Sequence, residues 1–145
     1  MGGSSLATNT TGASNTAVGN NALNANTTAS NNTAVGKDAL DTNTTGASNV
    51  AIGVDSMDAN TTGGSNVAVG FQALATNTTA DYNVAIGKDA LLMNTTGTRN
   101  SSIGTNSMDA NTTGGYSVAL GYNALGANTT ADNNTAVGYN ALLVN

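Results

Sequence analysis

Apolar and polar positions recur along this chain with a period of 17 residues. The triplet Asn-Thr-Thr begins at positions 9, 26, 43, 60, 77, 94, 111 and 128, a step of 17 each time. A short, strict period without insertions is typical of a solenoid, in which each repeat stacks on the one before it. The sequence therefore predicts one solenoid domain over residues 1–145, with about eight and a half coils and no linker.

Two apolar columns and one glycine column accompany the triplet. We expect the apolar columns to form the core ladder: Val18, Leu23, Val35, Leu40, Ile52, Met57, Val69, Leu74, Ile86, Leu91, Ile103, Met108, Leu120, Leu125, Val137 and Leu142. The glycines directly follow the branched residues and are expected at turns: Gly19, Gly36, Gly53, Gly70, Gly87, Gly104, Gly121 and Gly138. Glycine permits turn conformations that a side chain forbids.

The local pattern favours strands over helices. A helix would place Val18, Ala22 and Leu23 on one face, but Asn, Thr and Gly dominate the rest of the unit and are poor helix formers. In residues 83–87, "NVAIG", side chains alternate, which is typical of a strand. We expect a turn at Lys88-Asp89 and a second, looser strand in "ALLMNTT". The predicted fold class is all-β: a parallel β-solenoid or β-roll of 17-residue coils with two short strands per coil, spaced ~4.8 Å apart.

Stacking also explains why polar residues repeat. Each residue meets its own copy above and below, and stacked asparagines form amide ladders. We expect an Asn/Thr ladder that includes Asn26, Thr27, Thr28, Asn60, Thr61, Thr62, Asn94, Thr95 and Thr96.

The alternation leaves a column of alanines on the face opposite the branched residues. Each coil buries only about two large apolar side chains, which is little against the entropy of ordering a whole coil. We therefore expect this small-residue stripe to face neighbouring chains: Ala17, Ala34, Ala51, Ala68, Ala85, Ala119 and Ala136.

Composition narrows the function classes. The chain has no Cys and no His, so zinc sites with these ligands, thiol nucleophiles and Ser-His-Asp triads are excluded. The net charge of −5, with three basic residues, argues against binding to nucleic acid or an anionic membrane. No apolar run reaches the length of a spanning helix. We expect no metal, no cofactor and no enzymatic activity, because identical repeats do not supply the differing environments that catalysis needs.

The segments "NVAIGKDAL", "NVAVGFQAL", "SVALGYNAL" and "NTAVGYNAL" resemble the head repeats of trimeric autotransporter adhesins and similar repeats of phage tail fibres. The resemblance covers essentially the whole chain, although this unit is about three residues longer than the adhesin repeat. It implies a left-handed β-roll that forms a homotrimer about its long axis. It also implies an extracellular, cell-surface or virion location.

The expected function is a structural and adhesive fibre segment, the head or shaft of a surface adhesin or tail fibre. It would give rigid extension and display turn residues to a cell-surface receptor or glycan. A self-assembling filament subunit is the alternative, and an ice-binding solenoid with Thr arrays is a further one. Ice-binding arrays of the Thr-x-Thr type direct both hydroxyls the same way, whereas adjacent threonines in a strand point in opposite directions.

Three local patterns carry weaker hypotheses. Every Asn-Thr-Thr is an N-glycosylation sequon, but an asparagine inside a ladder is unavailable, so we expect no glycan. The acidic corners lack the converging oxygens of a calcium loop and are expected to be solvated: Asp38, Asp55, Asp58, Asp89 and Asp109. The aromatic residues lie at turn positions, where they either contact a ligand or cover grooves: Phe71, Tyr82, Tyr116, Tyr122 and Tyr139.

Overall fold

The computed structural model describes residues 2–143 and contains, within them, eight strands of three residues and no helix. The strands are β1 (Thr16–Val18), β2 (Thr33–Val35), β3 (Val50–Ile52), β4 (Val67–Val69), β5 (Val84–Ile86), β6 (Ser101–Ile103), β7 (Val118–Leu120) and β8 (Thr135–Val137). The predicted domain also includes Met1, Val144 and Asn145, which lie outside the described residues.

The strands form one parallel sheet in sequence order, β1 to β8. Every pair has the same register, so that Ala51 lies beside Ala34 on one side and Ala68 on the other. Each strand contacts only its immediate neighbours in the sequence. The all-β solenoid of 17-residue rungs is therefore confirmed.

The expected second strand of each rung is not a strand. In every rung two residues of this part of the chain adopt left-handed backbone conformations: one in the predicted second strand, such as Leu40 with a φ of 52°, and one in the turn before it, such as Asp38 with a φ of 56°. Such residues coil the chain instead of extending it. The return segments still stack through backbone hydrogen bonds, such as that from the Leu40 N–H to the Ser56 carbonyl at 3.0 Å.

The sheet faces the interior with its alanines, which reverses the predicted orientation. The stripe that we expected between chains lies inside the rod, buried at every rung from the second onward and half-buried at the first: Ala17, Ala34, Ala51, Ala68, Ala85, Ala119 and Ala136. The branched column, predicted as core, instead lies on the outside and is exposed or half-buried: Val18, Val35, Ile52, Val69, Ile86, Ile103, Leu120 and Val137.

Interior space explains this reversal. Each rung already buries a Leu or Met, a second Ala or Ser, and asparagine side chains. The Leu/Met column is fully buried in seven rungs and half exposed at Leu142, in the last described rung. What remains opposite the sheet accommodates a methyl group, so the strand directs its central alanine inward and its two larger residues outward.

Candidate functional site: the side-chain columns of the rod

The asparagines of the Asn-Thr-Thr triplets form a continuous amide ladder along the rod. Each Nδ2 donates one hydrogen bond to the Oδ1 of the preceding asparagine, at 2.8 to 3.3 Å along the whole column. It donates a second to the backbone carbonyl three residues later, as Asn60 does to Gly63 at 3.0 Å. The side chains from Asn26 to Asn111 are fully buried, whereas Asn9, in the first described rung, is exposed. The ladder predicted for Asn26, Asn60 and Asn94 is present.

A second asparagine column, which sequence reasoning left without a role, lies just before each strand. Its Oδ1 accepts the backbone N–H of the equivalent residue in the next rung, as Asn32 does from Asn49 at 2.8 Å. Its Nδ2 donates to a carbonyl of that same rung, as from Asn32 to Gly46 at 2.9 Å. The column contains Asn15, Asn32, Asn49, Asn66, Asn83 and Asn100, continued by Ser117 and Asn134. The repetition of asparagine at this one fixed position of the unit was the sequence signal that could have predicted the column.

The two threonines of each triplet have different environments. The hydroxyl of the first, as in Thr27, Thr61 and Thr95, donates to the backbone carbonyl of its copy in the next rung, at 3.2, 3.0 and 3.0 Å. The second, as in Thr28, Thr62 and Thr96, is exposed. The rod therefore presents a single exposed column of threonines, one from each rung, rather than the paired hydroxyls of a Thr-x-Thr array.

The predicted turn glycines all have a φ between 132° and 144°, a region that residues with side chains rarely adopt. Their stacking imposes a second requirement. A Cβ on Gly70 would lie 2.4 Å from the carbonyl oxygen of Gly87 in the next rung. Glycine is therefore needed for both backbone conformation and close approach of the rungs.

One rung contains a compensated pair of polar substitutions. Ser102 replaces the inward alanine of its strand, and Ser107 replaces the second interior alanine of the same rung. The Ser102 hydroxyl hydrogen-bonds to the Ser107 hydroxyl and to the Ser107 carbonyl, the latter at 2.8 Å. Ser107 in turn donates to the Gly104 carbonyl at 2.9 Å. Both buried hydroxyls thus have a backbone carbonyl as hydrogen-bond acceptor within the same rung.

The aspartates at the corners of the rungs differ in the direction in which their pKa is shifted. Burial raises the pKa of Asp58 above its ordinary value, and the neighbouring charge of Asp41 acts in the same direction. Burial likewise raises the pKa of Asp109. A hydrogen bond from Lys37 lowers the pKa of Asp38. Within residues 2–143, no three acidic side chains converge in a way that suits a metal ion.

Two exposed columns flank the sheet and carry the aromatic residues. The leading-edge column precedes the strands and consists of Ser14, Asn31, Ser48, Ser65, Tyr82, Arg99, Tyr116 and Asn133. In it the Arg99 guanidinium lies 5.0 Å from the Tyr82 ring centre and 5.5 Å from that of Tyr116. The Arg99 guanidinium therefore makes cation–π contacts with both tyrosine rings, and these contacts stabilise the column.

The trailing-edge column follows the strands and consists of Asn20, Lys37, Val54, Phe71, Lys88, Thr105, Tyr122 and Tyr139. Tyr122 and Tyr139 stack with their ring centres 5.1 Å apart. The Lys88 ammonium group lies 5.9 Å from the Phe71 ring centre. In both columns, aromatic residues occur only from residue 71 onward.

Across the part of the chain that the structure describes, no helix is long and apolar enough to cross a bilayer. Comparisons with protein-family models, with curated protein sequences and with solved structures each gave no match for this chain.

Proposed function

We propose that this chain is a rigid structural segment of an extracellular fibre, in the head or shaft of a bacterial surface adhesin or in a phage tail fibre. The observation that supports this best is the uninterrupted register of the sheet, in which all seven strand pairs are offset by one repeat. Eight rungs at ~4.8 Å form a rod on the order of 35 Å long. The role is mechanical rather than catalytic.

Two features support stiffness. Backbone hydrogen bonds join neighbouring rungs both in the sheet and in the return segments. Two buried asparagine columns add side-chain hydrogen bonds across every interior junction. Bending the rod would stretch these bonds on one side, and an unpaired buried amide costs about 1–3 kcal/mol.

The exposed edge columns would supply the adhesive function. The tyrosines Tyr82, Tyr116, Tyr122 and Tyr139 are all at least 45% exposed. Tyrosine and arginine are the residues that most often dominate binding interfaces. The target is a cell-surface receptor or a glycan. Assembly from three copies is the arrangement implied by the resemblance to adhesin heads.

The rod is tested by changing its length. Duplicating residues 43–93 inserts three rungs without changing the phase, and we expect the maximum dimension in small-angle X-ray scattering to grow by ~14 Å. The cross-sectional radius should stay constant. The matched control duplicates residues 43–89, which breaks the phase and should lower the cooperativity of unfolding. A longer in-phase chain that widens instead of lengthening would contradict the rod.

Adhesion is tested separately with protein-coated beads on candidate host cells. We expect binding to fall when Tyr82 and Tyr116 are both replaced by serine, the residue that this column carries at Ser48 and Ser65. Bead binding that is unchanged by this double substitution would contradict the assigned role of the leading edge.

A further inference from the structure

The leading-edge column contains the only arginine of the chain, Arg99, which is exposed and lies between two tyrosines. Its guanidinium carbon is 5.0 Å from the centre of the Tyr82 ring and 5.5 Å from that of Tyr116. Because neighbouring rungs are ~4.8 Å apart, the three side chains cover about 10 Å along the rod. We call these three residues the Tyr-Arg-Tyr patch.

Arg99 differs from the two lysines of the chain in its electrostatic partners. Lys37 forms an ion pair with Asp38, and Lys88 forms one with Asp89. Among the residues that the structure describes, Arg99 forms no ion pair. Its positive charge is therefore available to an anion from outside the molecule.

The acidic residues on this side of the rod are held by other groups. The Asp81 carboxylate accepts a hydrogen bond from the Gly64 N–H, at 2.7 Å, in the rung before its own. Arg99 lies in the rung after Asp81, so this contact turns the carboxylate away from the guanidinium. The Asp132 carboxylate accepts a hydrogen bond from the Gly115 N–H, also at 2.7 Å. Both aspartates thus have backbone partners and leave the arginine unneutralised.

The guanidinium also has unused hydrogen-bonding capacity. It carries five N–H donors, and its Nη1 donates to the Tyr116 hydroxyl at 3.3 Å. The outer edge of an exposed guanidinium can donate two parallel hydrogen bonds to one carboxylate. Since the tyrosine rings already hold the arginine in place, little side-chain freedom is lost when an anion binds.

We propose that the Tyr-Arg-Tyr patch binds a carbohydrate that carries a carboxylate, with the carboxylate on Arg99 and a sugar ring against a tyrosine. This inference rests on the proposed adhesive function and names the class of ligand that the leading edge recognises.

The tyrosines provide the surface for the sugar ring. Tyr82 and Tyr116 are 55% and 56% exposed. The residues beyond them in the column are the small polar Ser65 and Asn133, so no large side chain follows the rings on either side. A sugar ring presents C–H groups with a partial positive charge, and these pack favourably on the electron-rich face of an aromatic ring.

The charge of the molecule decides which acidic carbohydrate fits. The chain has a net charge of −5, so it repels a densely charged polyanion over most of its length. Arg99 alone offers such a ligand only one ion pair. The ligand that fits has isolated carboxylates on an otherwise neutral sugar chain. Sialic acid at the end of a glycan and glucuronic acid within hyaluronan both meet this condition.

Binding is tested by NMR titration of the full chain with sialyllactose and with hyaluronan oligosaccharides. The controls are lactose and carboxyl-reduced hyaluronan oligosaccharides, which lack the carboxylate. We expect at least one acidic probe to bind about tenfold more tightly than its neutral counterpart, because only the acidic probe forms charge-assisted hydrogen bonds. The probe that binds identifies the source of the carboxylate. Equal binding of acidic and neutral sugars, or no binding of either acidic probe, would overturn the proposal.

The role of the arginine is tested with variants in the same titration. We expect Arg99→Gln to weaken binding of the acidic probe about tenfold, and Arg99→Lys to have an intermediate effect, because lysine keeps the charge without the planar fork. The matched control is Thr45→Asp on the exposed threonine column, which changes the net charge by the same amount and should leave binding unchanged. Circular dichroism checks that each variant is folded. Full binding by Arg99→Gln, or an equal loss in Thr45→Asp, would overturn the assignment.

A competition experiment separates the ligand class from the adhesive function itself. The acidic probe that binds is added to the protein-coated beads on host cells, and we expect it to lower their adhesion. Adhesion that depends on Tyr82 and Tyr116 but is insensitive to the soluble sugar would overturn the ligand class and leave the adhesive function standing, with a protein as the receptor. Adhesion that is insensitive to the tyrosine substitutions would instead contradict the proposed function.

Discussion

The rod has a sheet wall, formed by strands β1 to β8, and an Asn-Thr wall, formed by the Asn-Thr-Thr triplets. These two walls place polar and apolar side chains in opposite ways. The sheet wall turns alanine inward and Val or Ile outward, whereas the Asn-Thr wall buries its amides and exposes threonine. In an ordinary domain, large apolar side chains would be inside and amides outside. Hydrogen bonds along the axis therefore stabilise this fold in addition to apolar burial across it. An amide that meets its own copy above and below has its hydrogen bonds satisfied without water.

The largest effect is expected from enlarging a side chain on the inner face of the sheet. We expect Ala68→Leu to lower the free energy of unfolding by about 3 kcal/mol or more, because no space surrounds the methyl group and the rungs above and below prevent relaxation. Val69→Leu, on the outer side of the same strand, is the control and should change it by less than about 0.5 kcal/mol. Chemical denaturation measures both. Equal effects would mean that the two sides are not distinct.

The Asn-Thr wall is tested by interrupting its ladder. Asn60→Ala removes two donated hydrogen bonds and leaves Asn77 without its acceptor, so we expect a loss of about 2–3 kcal/mol. Asn9→Ala, at the exposed end of the same column, should cost below about 1 kcal/mol. Similar losses at the two sites, in denaturant titrations, would argue against burial as the cause.

The leading edge allows a smaller test of axial contacts at the surface. Arg99→Ala removes a cation that lies between two rings, and we expect a loss of about 1 kcal/mol. Arg99→Lys keeps the charge but not the planar group and should restore only part of it. Thermal unfolding of the three proteins at low and high salt measures the difference. Complete rescue by lysine would indicate simple charge attraction.

The smallest expected effect concerns pH and compares two acidic corners. Because the folded pKa of Asp58 is raised, this carboxylate destabilises the fold when charged, so stability should increase as the pH falls from 7 towards 4. The lowered pKa of Asp38 acts in the opposite direction, and its contribution is lost as the pH falls below its ordinary value of 3.8. Asp58→Asn should weaken the first trend, to which the raised pKa of Asp109 also contributes, and leave the second. A profile unchanged by this substitution would contradict the assignment.

Period, register and the Leu/Met core were predictable, because a fixed spacing of one apolar column determines how the rungs stack. Which side of the sheet faces inward was not predictable, because a three-residue strand such as Val84–Ile86 alternates equally well in either orientation. Only the volume of the whole rung decides between them. The return segment was also misjudged, because a buried Leu with positive φ is rare. The Asn and Asp residues two positions before most residues of the Leu/Met column, such as Asp38 and Asn123, carried a usable signal, since both types tolerate that conformation.

The restriction of each strand to contacts with its immediate neighbours has an evolutionary consequence. Removing or adding one complete unit in phase leaves every remaining junction with a partner of the same kind. Unequal recombination between the gene segments that encode these similar units can therefore change the number of rungs in single steps. Selection can then adjust the reach of the molecule without redesigning any of its contacts.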